Sequence, residues 1–572
     1  MKKFLAYFKK YKWKAIFGSI MKLIEAIFEL LNPLLVAKIV DVGITTGDIN
    51  YILKVGLILL VINVIAFGLS AVSQKFVSLT SSGVSKELRA GVFEHVSTFS
   101  HHELDKFGTA SLINRMTEDV DQVEDAVSMF MRLIIRVPAL LIGAFALSLS
   151  IDKKMSLVFL VLIPIVLLIL WIFTKKTVPY FNIVRKKLDK ISQVTKENLD
   201  GTRVIRAFNK QENETERFKS VSQDYTDTSL KISKIAALLN PVIFLVVDVA
   251  TIVILLVGGY QINIGTLTQG NVIALIDYVS TITISLLVIS QGIILFVRTV
   301  ASWHRIQEVL DTVPVIKNEP NAKAYKKLEY DALMEFDNVS FNYNLDNQTQ
   351  SFIKNLSFKI YPHQTIGIIG GTGSGKSTIA SLMTRFYDVT SGQILFKGKN
   401  IKDFTIEQLR KDISIVQQRS TLFSGSLRQN MQIRDNNATD EEIIEALKIA
   451  QAWPFVSEWR NTLDHQIMAG GKNVSGGQMQ RLTIARALIG KPEMLILDDS
   501  SSALDFLTDS KLRKAIKGLN TTTVLISQRA TSIKSCDLII VLDNGDVVGM
   551  GKHNELMKNC DIYREIYESQ SK

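Results

Sequence analysis

Six apolar stretches fill the first half of the chain, at about 15–40, 53–76, 128–150, 155–175, 238–260 and 271–298. Each is near the roughly 20 residues that a bilayer requires, so the pattern predicts six membrane-spanning helices. Long polar stretches, at about 77–127 and 176–237, separate the second span from the third and the fourth from the fifth. Within them apolar residues recur every three or four positions with few breakers, the period of an amphipathic helix. The spans are therefore expected to continue as helices well beyond the bilayer. Near the loop apices, LDKFGTASLINRMTEDVDQV (104–123) and ENLDGTRVIRAFNKQE (197–212) each place a glycine before a short amphipathic segment. Such a segment suits either a transverse helix offered to another domain or an ordinary turn.

Charge sets the orientation. Both long loops carry many Lys and Arg, whereas DVGITTGDIN (41–50) and YQINIGTLTQG (260–270) carry none. The positive-inside rule then puts both termini and both long loops in the cytoplasm of a multi-pass cell-membrane protein. Lys153 and Lys154, in a short outer turn, oppose this without outweighing the total. The opening MKKFLAYFKKYKWK lacks a cleavage-site pattern and runs straight into a full span. It is expected to be a retained amphipathic helix on the membrane surface. Within the spans, Glu25 and Glu29 stand four apart on one helix face, as do Arg132 and Arg136, while Asp248 and Asp277 interrupt apolar runs. Charge is costly in lipid, so these residues imply a polar path, pairing between helices, or snorkelling near span ends.

Beyond a polar stretch at about 312–330, with Pro314 and Pro320, short strands alternate with helices, the pattern of an α/β domain. The fold class expected is an α-helical six-span membrane domain over 1–311, a linker, and an α/β P-loop domain over 331–572. In TIGIIGGTGSGKSTIASLMTRFYD (365–388), Gly370, Gly375, Lys376 and Ser377 match the P-loop spacing in full. Gly371, Thr372, Gly373 and Ser374 fill the loop, and Thr378 follows in the helix. Glycines let backbone N–H groups wrap phosphates, and the helix N-terminus adds a favourable dipole. Lys376 would reach the β- and γ-phosphates of ATP and Ser377 would bind Mg2+. The strand MLILD (494–498) ends in Asp498, the carboxylate such a site needs for the metal. Between them, NVSGGQMQRLTIARAL (473–488) opens a helix with a serine and two glycines, another anion-binding pattern.

At that position between P-loop and carboxylate strand, Ser475, Gly476, Gly477 and Gln478 resemble the signature of ATP-binding cassette (ABC) proteins. Tyr343, in VSFNY, falls where that family stacks an aromatic on adenine. Gln418 matches its glutamine loop, a metal and γ-phosphate contact; SALD (502–505) matches the D-loop, and TTVLISQRATSI (522–533) the switch strand. With six preceding spans, the whole chain resembles a half-transporter of the ABC exporter family. That resemblance implies coupling helices at the two loop apices. It also implies a head-to-tail dimer in which each signature completes the partner's ATP site.

Three positions depart from the family. Its carboxylate strand ends Asp-Glu, and here it ends Asp498-Asp499; its switch reads Ser-His-Arg, and here it reads Ser527-Gln528-Arg529; a glutamate before its signature is Ala469. Aspartate is one methylene shorter than glutamate, and a misplacement of about 1 Å at reacting atoms can cost about 100-fold. With binding parts intact and Asp499 and Gln528 altered, the resemblance narrows to the degenerate-site subunit of a heterodimeric pair. The signature, changed only at Val474, would serve a partner half-transporter with an intact catalytic site. The expected activity is ATP-driven export of hydrophobic or amphipathic compounds, multidrug or lipid. A homodimeric lipid or peptide exporter and an ATP-gated channel are the alternatives. With no peptidase domain ahead of the first span, a processing exporter of leader peptides is disfavoured.

Composition sharpens this in two places. The chain has a net charge of +11 over 572 residues, and its basic residues bunch in the loops between apolar segments, which favours a membrane partner and gives no nucleic-acid partner. Cys536 and Cys560 have neither metal-ligand spacing nor a disulfide framework, consistent with a reduced compartment.

Overall fold

The apolar runs of the first half become helices much longer than a bilayer is thick. In the computed structural model, which describes residues 2–325, 328–343, 352–500 and 504–571, the chain divides into two units. One comprises Met1–Ser97 and Ala110–Thr312, the other Thr98–Thr109 and Val313–Lys572. The helices of the first half are α1 (Lys2–Lys9), α2 (Lys12–Lys38), α3 (Ile49–Ser97), α4 (His101–Phe107), α5 (Thr109–Met116) and α6 (Glu118–Ile151). They continue as α7 (Leu157–Asp200), α8 (Thr202–Ala207), α9 (Gln211–Ala237), α10 (Leu239–Asn263) and α11 (Gln269–Asp311). At 1.5 Å per residue the 49 residues of α3 span about 73 Å, over twice the roughly 30 Å hydrocarbon layer.

Among the described residues, five stretches are long and apolar enough to cross a membrane, within Ile49–Ser97, Thr109–Ile151, Leu157–Thr177, Gln211–Asn263 and Gln269–Ile289. The remaining predicted span, α2, has 27 residues but carries Lys22, Glu25 and Glu29. Those charges are paired. Lys22 lies 2.6 Å from Glu25, and Arg136 of α6 lies 2.9 Å from Glu29. Arg132 donates to Ser128 at 2.9 Å on its own helix. For Glu29 and Arg136 the structure thus selects pairing between helices, while Asp248 and Asp277 are exposed. α2 ends in a π-helical turn, Ile39–Ile44, from which Asp41 accepts hydrogen bonds from Thr268 (2.5 Å) and the Gly270 amide (2.6 Å). A Cβ at Gly270 would strike the Ala37 carbonyl, so only glycine permits this approach.

The second unit holds two main sheets. An antiparallel sheet has the order β2 (Ile353–Ile360), β1 (Met334–Phe341), β4 (Ser391–Phe396), β5 (Lys399–Asn400). The other has the order β12 (Asp546–Gly551), β11 (Leu538–Asp543), β3 (Thr365–Gly370), β10 (Thr522–Ile526), β9 (Met494–Asp498), β6 (Ile413–Val416). Its pairs are parallel except at the β12 edge. β9 is buried throughout, which explains its continuous apolar sequence: parallel strands are covered on both faces. A short pair, β7 (Gly425–Ser426) and β8 (Gln466–Ile467), lies apart from both sheets.

Both loop apices form short helices. Gly108, with φ +73°, separates α4 from α5, and Gly201 precedes α8. The segment Thr98–Thr109 folds as part of the second unit. There His101 stacks on Phe386 at 4.2 Å, and Tyr387 donates to Asp105 at 2.6 Å. Glu103 is 2% exposed and accepts from the Ser100 amide (2.8 Å), the Ser100 hydroxyl (2.6 Å) and the Val315 amide (3.1 Å). Burial pushes its carboxyl pKa up, but these hydrogen bonds outweigh burial and hold it below the usual range. A lowered carboxyl contributes stability that is complete above its unfolded pKa and is lost as pH falls through the folded one. Glu103→Ala should destabilise the full-length protein by about 1–3 kcal/mol, read as a lower thermal midpoint at neutral pH. The gap between parent and variant should close as pH drops below the ordinary carboxylate range.

Candidate functional site

The strand register brings the chemistry together. Ile526 of β10 pairs with Ile368 of β3 on one side and with Asp498 of β9 on the other. The carboxyl ends of three parallel strands therefore share one edge, the usual ligand position in open α/β sheets. A cavity of about 260 Å3 opens there, lined by Thr372, Gly373, Ser374, Gly375, Lys376, Ser377, Thr378, Gln418, Asp498, Asp499 and Gln528, with Phe352 and Ile526. Gly370 and Gly371 form the loop's beginning.

The loop runs from β3 into α12 (Lys376–Met383), with Gly373 at φ +82° and Gly375 at φ +101°, conformations that side chains rarely adopt. Lys376 is folded onto the loop, donating to the Gly370 carbonyl at 2.9 Å and the Gly371 carbonyl at 2.6 Å. Burial lowers its pKa, opposed by the charges of Asp498 and Asp499. An ammonium held by neutral carbonyls in a half-buried cleft is suited to an anion. A Cβ built at Gly371 or Gly373 meets nothing within 4 Å, so open space lies along the loop. Backbone N–H groups and the start of α12 favour phosphate in that space.

Asp498 is buried, and its carboxyl is pushed up by burial and by Asp499, against the Ser377 hydrogen bond and the Lys376 charge. A buried carboxylate touching a serine hydroxyl is a hard-oxygen pair fitting Mg2+. Asp499 also has a raised pKa, from burial first, with Arg529, Lys376 and Gln418 acting to lower it. Gln418 is exposed, and its amide reaches Asp499 at 3.5 Å rather than Asp498. The backbone of Asp499 is left-handed, φ +46°, with its N–H donating to the Ile526 carbonyl at 2.8 Å. Aspartate tolerates that conformation better than most side chains.

Other predicted residues lie around this centre. Tyr343 bonds through its hydroxyl to Thr378 at 2.9 Å and packs edge-on to Phe352 at 5.5 Å. Phe352 itself lines the cavity, a position missed in the sequence because it precedes β2 without a motif. Ser475 caps the helix Gly476–Leu488: its hydroxyl accepts from the Gln478 amide at 3.2 Å, and the Gln478 side chain accepts from the Ser475 amide at 2.9 Å. Ser475 and Gly476 are exposed, and none of residues 475–478 lines the P-loop cavity. Of the D-loop pattern, Ser502 and Ala503 lie outside the described residues, while Asp505 accepts from the Thr508 amide at 3.0 Å. In the first unit a separate apolar cavity of about 630 Å3 lies between α6 and α11, lined by residues such as Phe130, Leu133, Ile134, Leu295 and Phe296.

Comparison with known proteins matches residues 15–286 to the ABC transporter transmembrane region and residues 353–502 to the ABC transporter family. The chain is 35% identical to an uncharacterized ABC transporter ATP-binding protein, YfiB, of Bacillus subtilis, over 100% of this chain and 98% of that one. It is 30% identical to the ATP-dependent lipid A-core flippase of Haemophilus ducreyi, over 98% and 96% of the two chains. The structure of a bacterial Atm1-family ABC exporter with ATP bound aligns at a TM-score of 0.81 and 22% identity, covering 98% of each chain, which establishes the fold.

Burial raises the Asp498 carboxyl despite the Lys376 ammonium beside it, which gives a direct test. Asp498→Asn should raise the thermal midpoint of nucleotide-free protein, because the cost of a buried ionised carboxyl disappears. It should also abolish the stabilisation that Mg2+ adds to ATP, measured by thermal shift with and without chelator.

Proposed function

Because the chain belongs to the ABC transporter family, with an ATP-binding domain coupled to a multi-span export domain, we propose that it is one half of a heterodimeric exporter whose own ATP site turns over slowly. The observation that carries this reading is the pair Asp499 and Gln528 beside an otherwise complete P-loop. The termini and nucleotide-binding domain are cytoplasmic in this reading, from the Lys and Arg of the long loops. The cargo is hydrophobic or amphipathic, of multidrug or lipid type, and the apolar α6–α11 cavity supports that class.

In this mechanism the P-loop amides and the N-terminus of α12 bind the ATP phosphates. Lys376 exchanges its carbonyl partners for β- and γ-phosphate oxygens. Ser377 and Asp498 would hold Mg2+, with Gln418, now bonded to Asp499, as a further oxygen donor, and Tyr343 and Phe352 flank the adenine end. Mg2+ supplies neutralisation of charge on the phosphates. Hydrolysis needs a water aligned on the γ-phosphate, chiefly a task of position and electrostatics. Asp499 is the carboxylate nearest that task, and it is one methylene short. Gln528 offers an amide where the family has imidazole. The Ser475–Gln478 helix start, exposed at Ser475 and Gly476, is free to close over ATP held by a partner subunit, whose intact site performs most turnover.

The likeness to the lipid A-core flippase favours a second reading, a homodimeric lipid exporter. Assembly separates the two. The chain purified alone should hydrolyse ATP poorly and should recover activity when co-expressed with a second half-transporter; full, substrate-stimulated turnover as a homodimer overturns the heterodimer. With the partner's own catalytic glutamate disabled, Asp499→Glu combined with Gln528→His should raise turnover at this site. The gain should stop short of the about 100-fold attributable to position, because glutamate fits the left-handed backbone less well. Unchanged turnover in that background would place the limiting defect elsewhere.

A further inference from the structure

The loop that presents Gln528 is held by a side chain from the far end of the chain. Residues 527–529 connect β10 to a short helix, Ala530–Ile533. Gln570, on the C-terminal helix Asp561–Ser571, donates from its amide nitrogen to the Gln528 carbonyl at 2.7 Å. Its amide oxygen accepts from the Ala530 backbone N–H at 2.8 Å. Both halves of one primary amide are thus spent on backbone groups two residues apart, flanking Arg529. The Ala530 N–H is the first of its helix and has no acceptor within that helix. Gln570 provides the cap from 40 residues away.

The mount for this clamp is rigid. Tyr563, on the same helix, is fully buried against Ile533 and Cys536 and bonds to His553 at 2.8 Å. Lys534, just after the short helix, reaches the Tyr567 hydroxyl at 3.2 Å. The C-terminal helix therefore grips the short helix at both ends, through Gln570 at its start and Tyr567 at its close. The Gln528 side chain meanwhile lines the P-loop cavity.

We propose that Gln570 is a positioning residue for the nucleotide site, fixing the backbone of 528–530 so that Gln528 faces the terminal phosphate of ATP. It touches neither nucleotide nor reacting atoms. Being exposed, it contributes little to overall stability, yet a shift of about 1 Å in a group it positions can alter a rate about 100-fold. The effect on the site should therefore far exceed the effect on the fold. The proposal takes the cavity as the ATP site and holds whether that site is slow or fast.

The test is a double-mutant cycle on the full exporter in nanodiscs, with its partner subunit where one co-purifies. The readout is the release rate of a fluorescent ATP analogue in the presence of Mg2+, with the thermal midpoint as control. Gln570→Ala should speed release by about threefold or more at an unchanged midpoint, and should add nothing in a Gln528→Ala background. Gln570→Glu, which keeps the acceptor and loses the donor, should fall between parent and Gln570→Ala. Additive effects of the two alanines, unchanged release in Gln570→Ala, or release that changes only alongside a lower midpoint would overturn the proposal. So would a Gln528→Ala variant that releases like the parent, since Gln570 would then have nothing to position. Slow steady-state turnover bears on the heterodimer reading alone and leaves this cycle intact.

Discussion

The parallel pairing of β10 with both β3 and β9 is the constraint on which the candidate nucleotide site depends. Ile526 faces Ile368 on one side and Asp498 on the other. A slip of one residue would turn each buried side chain to the opposite face. It would also separate the P-loop that follows β3, the carboxylates that end β9 and the switch loop that follows β10. These strands are largely apolar because both faces are covered, and charged and amide side chains appear at Asp498 and Gln528, where the strands end. The sharp change from apolar to polar at one edge is itself what makes the cavity: the sheet stops there, and charged groups remain half-desolvated around a space of about 260 Å3.

Desolvation then sets the electrostatics. Burial is the largest influence on Lys376, Asp498 and Asp499, lowering the first and raising the other two. An ammonium and two carboxylates so close together offset part of each other's cost, and on the proposed reading the remainder is relieved by phosphates and a divalent cation. Lys376 resting on the Gly370 and Gly371 carbonyls is consistent with that account, since those bonds satisfy its donors at short range without neutralising its charge.

Local chemistry was legible from residue order, and long-range closure was not. The P-loop, the Ser475 cap and the Asp498 strand end are each decided within about one strand–turn–helix unit, and spacing alone assembled them. The long helices were legible because their period persists for dozens of residues. The weak point was α2, where Glu29 reads as a polar interruption until Arg136, 107 residues later, is seen to pair with it. Tyr343 was found by motif, whereas Phe352 carries none. The membership of Thr98–Thr109 in the second unit, through Glu103 and His101, follows from packing against Val315 and Phe386, more than 200 residues away. No pattern local to residues 98–109 encodes that.

Asp499 joins the two scales. Its neighbours suggest an acidic position at a strand end, yet the backbone there is left-handed, and the turn is fixed by the Asp499 N–H bonded to the Ile526 carbonyl across the sheet. Short polar side chains occupy that region of backbone space with less strain than longer ones. A glutamate here would have its carboxylate nearer the water and its backbone under more strain; aspartate reverses both terms. On the proposed reading the two consequences agree. A subunit whose site mainly holds ATP, while its signature serves a partner, loses little by a shorter carboxylate and gains a more relaxed strand end. The strain that an active site stores for chemistry is then reduced where chemistry is slow, and the register that carries the P-loop and switch is retained.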